Sequence, residues 1–196
     1  MHKREIECLI EELLLNGKGD ENEHKVKLNS VTLLGFVYQM ERKVVILMGS
    51  KKDYDFSRKI ANYLEEFDIK YEFRVASAHK TPEKVLEILR EYEAERVVFV
   101  TVAGRSNALS GMVDANTTKP VIACPPYSEK FAGVDIFSSL RVPSGIGLVV
   151  TLEPEGAAIA AAKIFALEDK NLAKRVAKYQ DSKKREIEEA DAEIRG

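Results

Sequence analysis

The sequence predicts a three-layer αβα sandwich on a doubly wound, mainly five-stranded parallel sheet, followed by a long C-terminal helix. Three observations carry this reading. Short apolar runs recur from residue 43 onward and are apolar on both faces, as strands covered on both sides must be. Helical patterns follow the runs in turn, and the joining turns are short. The polar and conformationally special residues gather just after the runs, where open parallel sheets of this flavodoxin-like kind place their sites.

The first run is Val44-Val45-Ile46-Leu47-Met48, ended by Gly49-Ser50, with a helix pattern from about Tyr54 to Phe67. The second strand runs from Lys70 to Val75. The next helix opens at Thr81-Pro82-Glu83, with Thr81 as N-cap and Pro82 at its first position. Val85, Leu86, Ile88, Leu89 and Tyr92 form its buried side. Val97 to Val102 is the third strand, followed by a helix through Leu109, Met112 and Val113. Pro120 to Cys124 is the fourth strand, and Gly147 to Thr151 the fifth, which leads into an alanine-rich helix from Gly156 to Leu167.

Two segments flank this core. Residues 1–42 read as an N-terminal extension of unknown role, with an amphipathic helix over 3–15, a polar linker and a strand-like run over 31–38. Residues 43–168 form the α/β domain, expected from its strand-end loops to be the catalytic one, and 169–196 a charged helix. Its apolar stripe (Leu172, Val176, Tyr179, Ile187, Ala190, Ile194) is thin for packing on its own core, which points to docking on another subunit. A solvated tail is the competing reading.

Composition narrows the function classes. Forty-five per cent hydrophobic content in 196 residues supports a folded domain with a substantial core. Thirty basic against thirty-two acidic residues give a net charge of -2, so nucleic acid is not an expected partner. No apolar run approaches the ~20 residues of a membrane span. Cys8 and Cys124 form no metal-like cluster, and no secretory signal precedes them, so a cytoplasmic location is expected.

The chemistry-bearing residues follow strand ends. His79 sits in Ser77-Ala78-His79-Lys80 after the second strand, and the other histidines, His2 and His24, lie in the polar N-terminal stretch. Histidine exchanges a proton near neutral pH, although a capping turn that happens to hold a histidine has the same local sequence. Gly49-Ser50 before a helix, with Lys51 and Lys52 beside it, resembles an anion cradle. Its glycine spacing fits neither a Walker A loop nor a dinucleotide fingerprint. Asp53 suits ribose hydroxyls, or is an ordinary first-turn acid. Gly104-Arg105-Ser106-Asn107 supplies several donors at the start of another helix, where Ser106 or Asn107 could equally serve as a cap. No credible transition-metal ligand set or Gly-x-Ser-x-Gly nucleophile elbow is present.

These loops match a known family. M-G-S-K-K-D, S-A-H-K-T-P, V-A-G-R-S-N-A-L-S-G-M, A-C-P-P, S-S-L-R-V-P-S-G and L-E-P-E-G-A-A occur in its order and spacing from about Lys43 to Ala190. The chain resembles the PurE family of purine biosynthesis, specifically its class II form, aminoimidazole ribonucleotide (AIR) carboxylase. Class I mutases typically read S-A-H-R and A-G-G-A-A-H-L-P-G-M. Here Lys80 replaces that arginine and Ala108 that second histidine, while Arg105-Ser106-Asn107 and Arg141 are class II-like.

The resemblance implies reversible carboxylation of AIR at C4 of its ring to give the 4-carboxy product (CAIR). CO2 is the co-substrate, and no metal, ATP or biotin takes part. It implies His79 as the catalytic proton carrier. Gly49, Ser50, Asp53, Ser77, Lys80, Gly104, Arg105, Ser106 and Asn107 are implied to bind substrate. Lys52 departs from the family's usual G-S-x-S-D loop, offering a flexible charge where a serine hydroxyl is usual. The family also implies a homo-oligomer, a tetramer or octamer, with the C-terminal helix reaching across subunits. A class I mutase on the same fold and a non-catalytic ribonucleotide-binding paralogue are the alternatives.

Overall fold

The computed structural model describes residues 42–196. The expected helix over 3–15 and strand over 31–38 lie outside the described residues. The sheet contains β1 (Lys43–Met48), β2 (Lys70–Val75), β3 (Val97–Val102), β4 (Val121–Ala123) and β5 (Val149–Val150). All pairings are parallel, in the order β2-β1-β3-β4-β5. The chain therefore reverses its direction of winding between β1 and β3, which leaves a crevice beyond their C-terminal ends.

The helices are α1 (Tyr54–Glu66), α2 (Pro82–Glu91), α3 (Ala108–Ala115), the short α4 (Phe137–Leu140), α5 (Pro154–Ala166) and α6 (Lys170–Arg195). Strand alternation sorts the core into two layers. Val44, Ile46 and Met48 of β1 pack with Ile60, Leu64 and Phe67 beside α1, and with Ala157, Ala158, Ala161 and Ala162 of α5. Val45 and Leu47 face the other way, onto Val85 and Ile88 of α2 and Leu109 and Val113 of α3. Alanines on α5 let that helix lie close to the sheet and to α1. Each fully buried Leu, Ile or Phe contributes roughly 1.5–3 kcal/mol.

The two outer strands on the β4 side are shorter than the sequence pattern suggests. β4 lies between Pro120 and Pro125, and a proline has no N–H to donate to a ladder. β5 pairs only at Val149 and Val150, although Thr151 still donates its N–H to the Ala123 carbonyl (3.0 Å). Edge strand β2 stacks Tyr71 and Phe73 edge-on, with Tyr54 against Phe73.

Helix α6 is two different things along its length. Asp169 caps it, its carboxylate accepting from the Asn171 and Leu172 N–H groups. Leu172 and Val176 are buried, the Tyr179 ring packs on Phe67, and its hydroxyl donates to Glu155 on α5 (3.0 Å). Beyond Ser182 every residue is exposed, including Ile187 and Ile194. No helix among the described residues is long and apolar enough to cross a membrane.

Candidate active site

Beyond the C-terminal ends of β1, β2 and β3 lies an open cleft of ≈ 830 Å³. Every site residue singled out from the sequence lines it, from Gly49 to Asn107. Arg141 is exposed and lies outside this lining.

The first wall is the β1 loop. Gly49 donates its N–H to Val102 at the end of β3 (2.9 Å). A Cβ at Gly49 would come within 3.2 Å of the Ala103 Cβ, so glycine is what allows the two strand ends to approach. Ser50 then caps a single 3-10 turn, Lys51–Asp53. Its hydroxyl accepts from the Lys52 N–H (3.2 Å), and Asp53 Oδ2 accepts from the Ser50 N–H (2.9 Å) and hydroxyl (3.2 Å). Burial pushes the Asp53 carboxyl above its ordinary pKa, and the two Ser50 hydrogen bonds act in the opposite direction. Asp53 is thus both a capping acid and a wall of the cleft.

The second wall is the turn that carries His79. Thr81 begins α2 but does not cap it with its side chain. Its Oγ1 reaches back instead and accepts from the Ser77 N–H (2.9 Å), while the Ser77 hydroxyl accepts from the Lys80 N–H (3.3 Å). The Ser77–Thr81 turn is closed on itself, and Pro82 starts the helix with its fixed φ. His79 and Lys80 stand exposed on its outside, and no described residue hydrogen-bonds the imidazole.

The third wall is built differently. Arg105 (φ +60°) and Asn107 (φ +32°) are both left-handed, at roughly 1–2 kcal/mol for a residue with a Cβ. Asn107 caps α3: its Oδ1 accepts from the Ser110 N–H (3.4 Å) and hydroxyl (2.7 Å). Its amide donates to the Ser139 hydroxyl (2.6 Å). With Ser110 donating to Asn107, Thr101 is the donor across the 2.8 Å contact with Ser110. Thr101, Asn107, Ser110 and Ser139 are all buried, so this is an interior polar network beneath the cleft. The Asn107 side chain is engaged there, whereas Arg105 and Ser106 are exposed to the cleft.

On the far side the Pro125-Pro126 turn of the A-C-P-P motif brings Pro126 into the lining, but sequence reasoning missed the residues beside it: Asp135, together with Tyr127 and Ser128. Asp135 Oδ2 accepts from the Arg105 N–H (2.8 Å), and the Ser138 hydroxyl lies 2.7 Å from the Arg105 carbonyl. An acid in Gly133-Val134-Asp135, amid apolar residues, was the one available signal, and its partner is thirty residues away.

Four cations (Lys51, Lys52, Lys80, Arg105) and two carboxylates (Asp53, Asp135) line the cleft around one imidazole. That excess of positive charge suits an anionic ligand. Cys124 is no competing nucleophile, since burial holds its thiol up to about 12.

The family model described as AIR carboxylase matches residues 43–186. A phosphoribosylaminoimidazole carboxylase of Archaeoglobus fulgidus is 64% identical over 153 residues, covering 78% of this chain and 85% of the relative. One of Treponema denticola is 49% identical over 158 residues, covering 80% and 99%. The crystal structure of Treponema denticola PurE superposes with a TM-score of 0.77 at 49% identity, over 79% of this chain and 99% of that one. The described fold, the cleft-lining motifs and these similarities agree: the chain belongs to the AIR carboxylase family.

Proposed function

We propose that the cleft carboxylates AIR at C4 with CO2, reversibly and without ATP, biotin or a metal, as a class II enzyme. The observation that carries this reading is the convergence of His79 with four cations and the Ser50–Asp53 turn in one cleft. The Archaeoglobus and Treponema relatives, both phosphoribosylaminoimidazole carboxylases, support the carboxylase reading.

The substrate's chemistry fits each wall. Its phosphate is taken by Ser50, the loop N–H groups and the Lys51 and Lys52 ammonium groups. Its ribose hydroxyls donate to Asp53. The aminoimidazole is an electron-rich enamine, so C4 attacks the carbon of CO2 and one C=O electron pair moves onto oxygen. Lys80, Arg105 and Ser106 hold the new carboxylate. C4 then carries both its hydrogen and the carboxylate. His79 takes that proton, the C–H pair returns to the ring and aromaticity is restored. In the reverse direction His79 returns the proton to C4 and CO2 leaves. Asn107 and Gly104 serve by shaping the third wall. The exposed second half of α6, with Ile187 and Ile194, supports assembly as a homo-oligomer, tetramer or octamer, and a cytoplasmic location suits the reaction.

Incubation with AIR and bicarbonate-derived CO2, without ATP, is expected to yield CAIR. His79→Ala should lose at least about 10²-fold in kcat, as removal of a general acid–base does, and still bind nucleotide. Turnover of the N5-carboxylated isomer alone would make the enzyme a class I mutase. Unchanged turnover in His79→Ala would remove the proton-carrier role.

A further inference from the structure

We infer that Asp135 is a positioning residue that sets the cleft-facing conformation of Arg105 and Ser106, together with Ser138. The inference rests on the functional reading above for its kinetic consequence, but not for its structural one.

Arg105 has a left-handed backbone, which a residue with a side chain keeps only when its surroundings hold it there. Here both of its backbone polar groups are held from one short segment. The Arg105 N–H donates to Asp135 Oδ2 at 2.8 Å, and the Ser138 hydroxyl lies 2.7 Å from the Arg105 carbonyl and 2.7 Å from that of Asp135. The next residue, Ser139, accepts from Asn107. The same Asp135 oxygen lies 3.6 Å from where a Cβ on Gly104 would stand, so it also adjoins the residue before Arg105. The Arg105 side chain is exposed, and no described residue steers its guanidinium. Its backbone sets where the side chain leaves the loop, and that backbone is held by Asp135 and Ser138. Asp135 Oδ1 is buried and takes no hydrogen bond from any described residue, so one oxygen alone does this work. That makes an amide a sufficient replacement, because an Asn carbonyl can accept the same N–H.

Two measurements on the full-length protein test this. Asp135→Ala should raise KM or lower kcat/KM for AIR by about tenfold or more, as expected when a binding loop shifts, with the pH profile unmoved. Asp135→Asn should recover to within about threefold of wild type, since all that Asp135→Ala loses is one acceptor. In an Arg105→Ala background the Asp135→Ala loss should shrink by about threefold or more, the remainder being the shift of Ser106, because residues acting as a unit are non-additive. Full additivity, or wild-type kinetics in Asp135→Ala, overturns the inference.

The second measurement needs no substrate. Amide hydrogen exchange at Arg105–Asn107 should quicken about tenfold or more in Asp135→Ala and stay near wild type in Asp135→Asn. Exchange at Ser50–Asp53 should be unchanged in both. If the wild type fails to carboxylate AIR, the functional reading falls and the exchange data still decide the positioning role. Equal exchange in wild type and Asp135→Ala refutes it.

Discussion

The first two walls of the cleft hold themselves, and the third is held from elsewhere. In the β1 loop every side-chain hydrogen bond closes within three residues, Ser50 to Asp53. In the β2 loop they close within four, Ser77 to Thr81. In the β3 loop Arg105 reaches Asp135 and Asn107 reaches Ser139, thirty and thirty-two residues ahead. Self-capped turns form as soon as their own residues meet. A left-handed loop held by a distant segment exists only when β4, its following turns and α4 are in place. Two kinds of loop, one local and one tertiary, thus build a single site.

Asn107→Ala is the change that breaks this contrast most heavily. It removes the acceptor of Ser110 and the donor to Ser139, both in the interior. Each buried polar group left unpaired costs about 1–3 kcal/mol, so a loss of about 2–4 kcal/mol in unfolding free energy is expected. For a chain of this size that is roughly a 5–15 °C fall in Tm. Calorimetry or denaturant unfolding reads it directly. A fall under about 1 kcal/mol, within the range of an ordinary surface substitution, would mean that the third wall does not depend on the buried network.

Thr81→Val tests the opposite wall with a smaller effect. The isosteric side chain loses the oxygen that accepts from the Ser77 N–H, a bond worth about 1 kcal/mol. Loosening should be confined to the His79 turn, seen as faster amide exchange at Ser77–Lys80 with Arg105–Asn107 unaffected. The two loops share no hydrogen bond, so Thr81→Val and Asn107→Ala should add within about 0.5 kcal/mol. Strong coupling between them would show that the walls form one cooperative unit and erase the distinction.

The same division explains what the sequence could reveal. The strands were legible because each is an uninterrupted apolar run between turn residues, and the winding because helical periodicity follows those runs. The strand-end loops were legible as a group because a parallel sheet brings its C-terminal ends to one edge, and the Ser50–Asp53 and Ser77–Thr81 turns are encoded within themselves. Asn107 as a helix cap was among the expected readings. Its bond to Ser139, and Asp135 under Arg105, were not visible, because no local pattern links positions thirty residues apart. The fifth strand was overestimated for a related reason, because Gly147 gives its N–H to Asp114, thirty-three residues earlier, and not to a ladder; at the ends of β4, Pro120 and Cys124 each still share one backbone hydrogen bond with β3. For α6, the thin stripe was visible, but not that its first turns pack on the chain's own Phe67 and α5.

Asp53 gives the smallest effect and the finest test of a self-held wall. Its carboxyl accepts two hydrogen bonds from Ser50, yet burial is the larger influence and raises its pKa above the ordinary carboxylate value. A raised pKa in the folded state means that the native protein holds this proton more tightly than the unfolded chain does. The associated stability is therefore complete below the ordinary carboxylate pKa and is lost as pH rises through the raised one. Asp53→Asn has no proton to lose and keeps an oxygen for the Ser50 N–H. It should melt at or slightly above wild type at neutral pH, with the difference closing as pH falls through the carboxylate range. A variant melting below wild type by a constant margin at every pH would show that the Ser50 bonds need the charge. Ribonucleotide affinity should move the other way, weakening by about tenfold, the equivalent of one charge-assisted hydrogen bond. A wall that becomes more stable while binding less well is one whose half-buried acid is kept for the ligand and not for the turn.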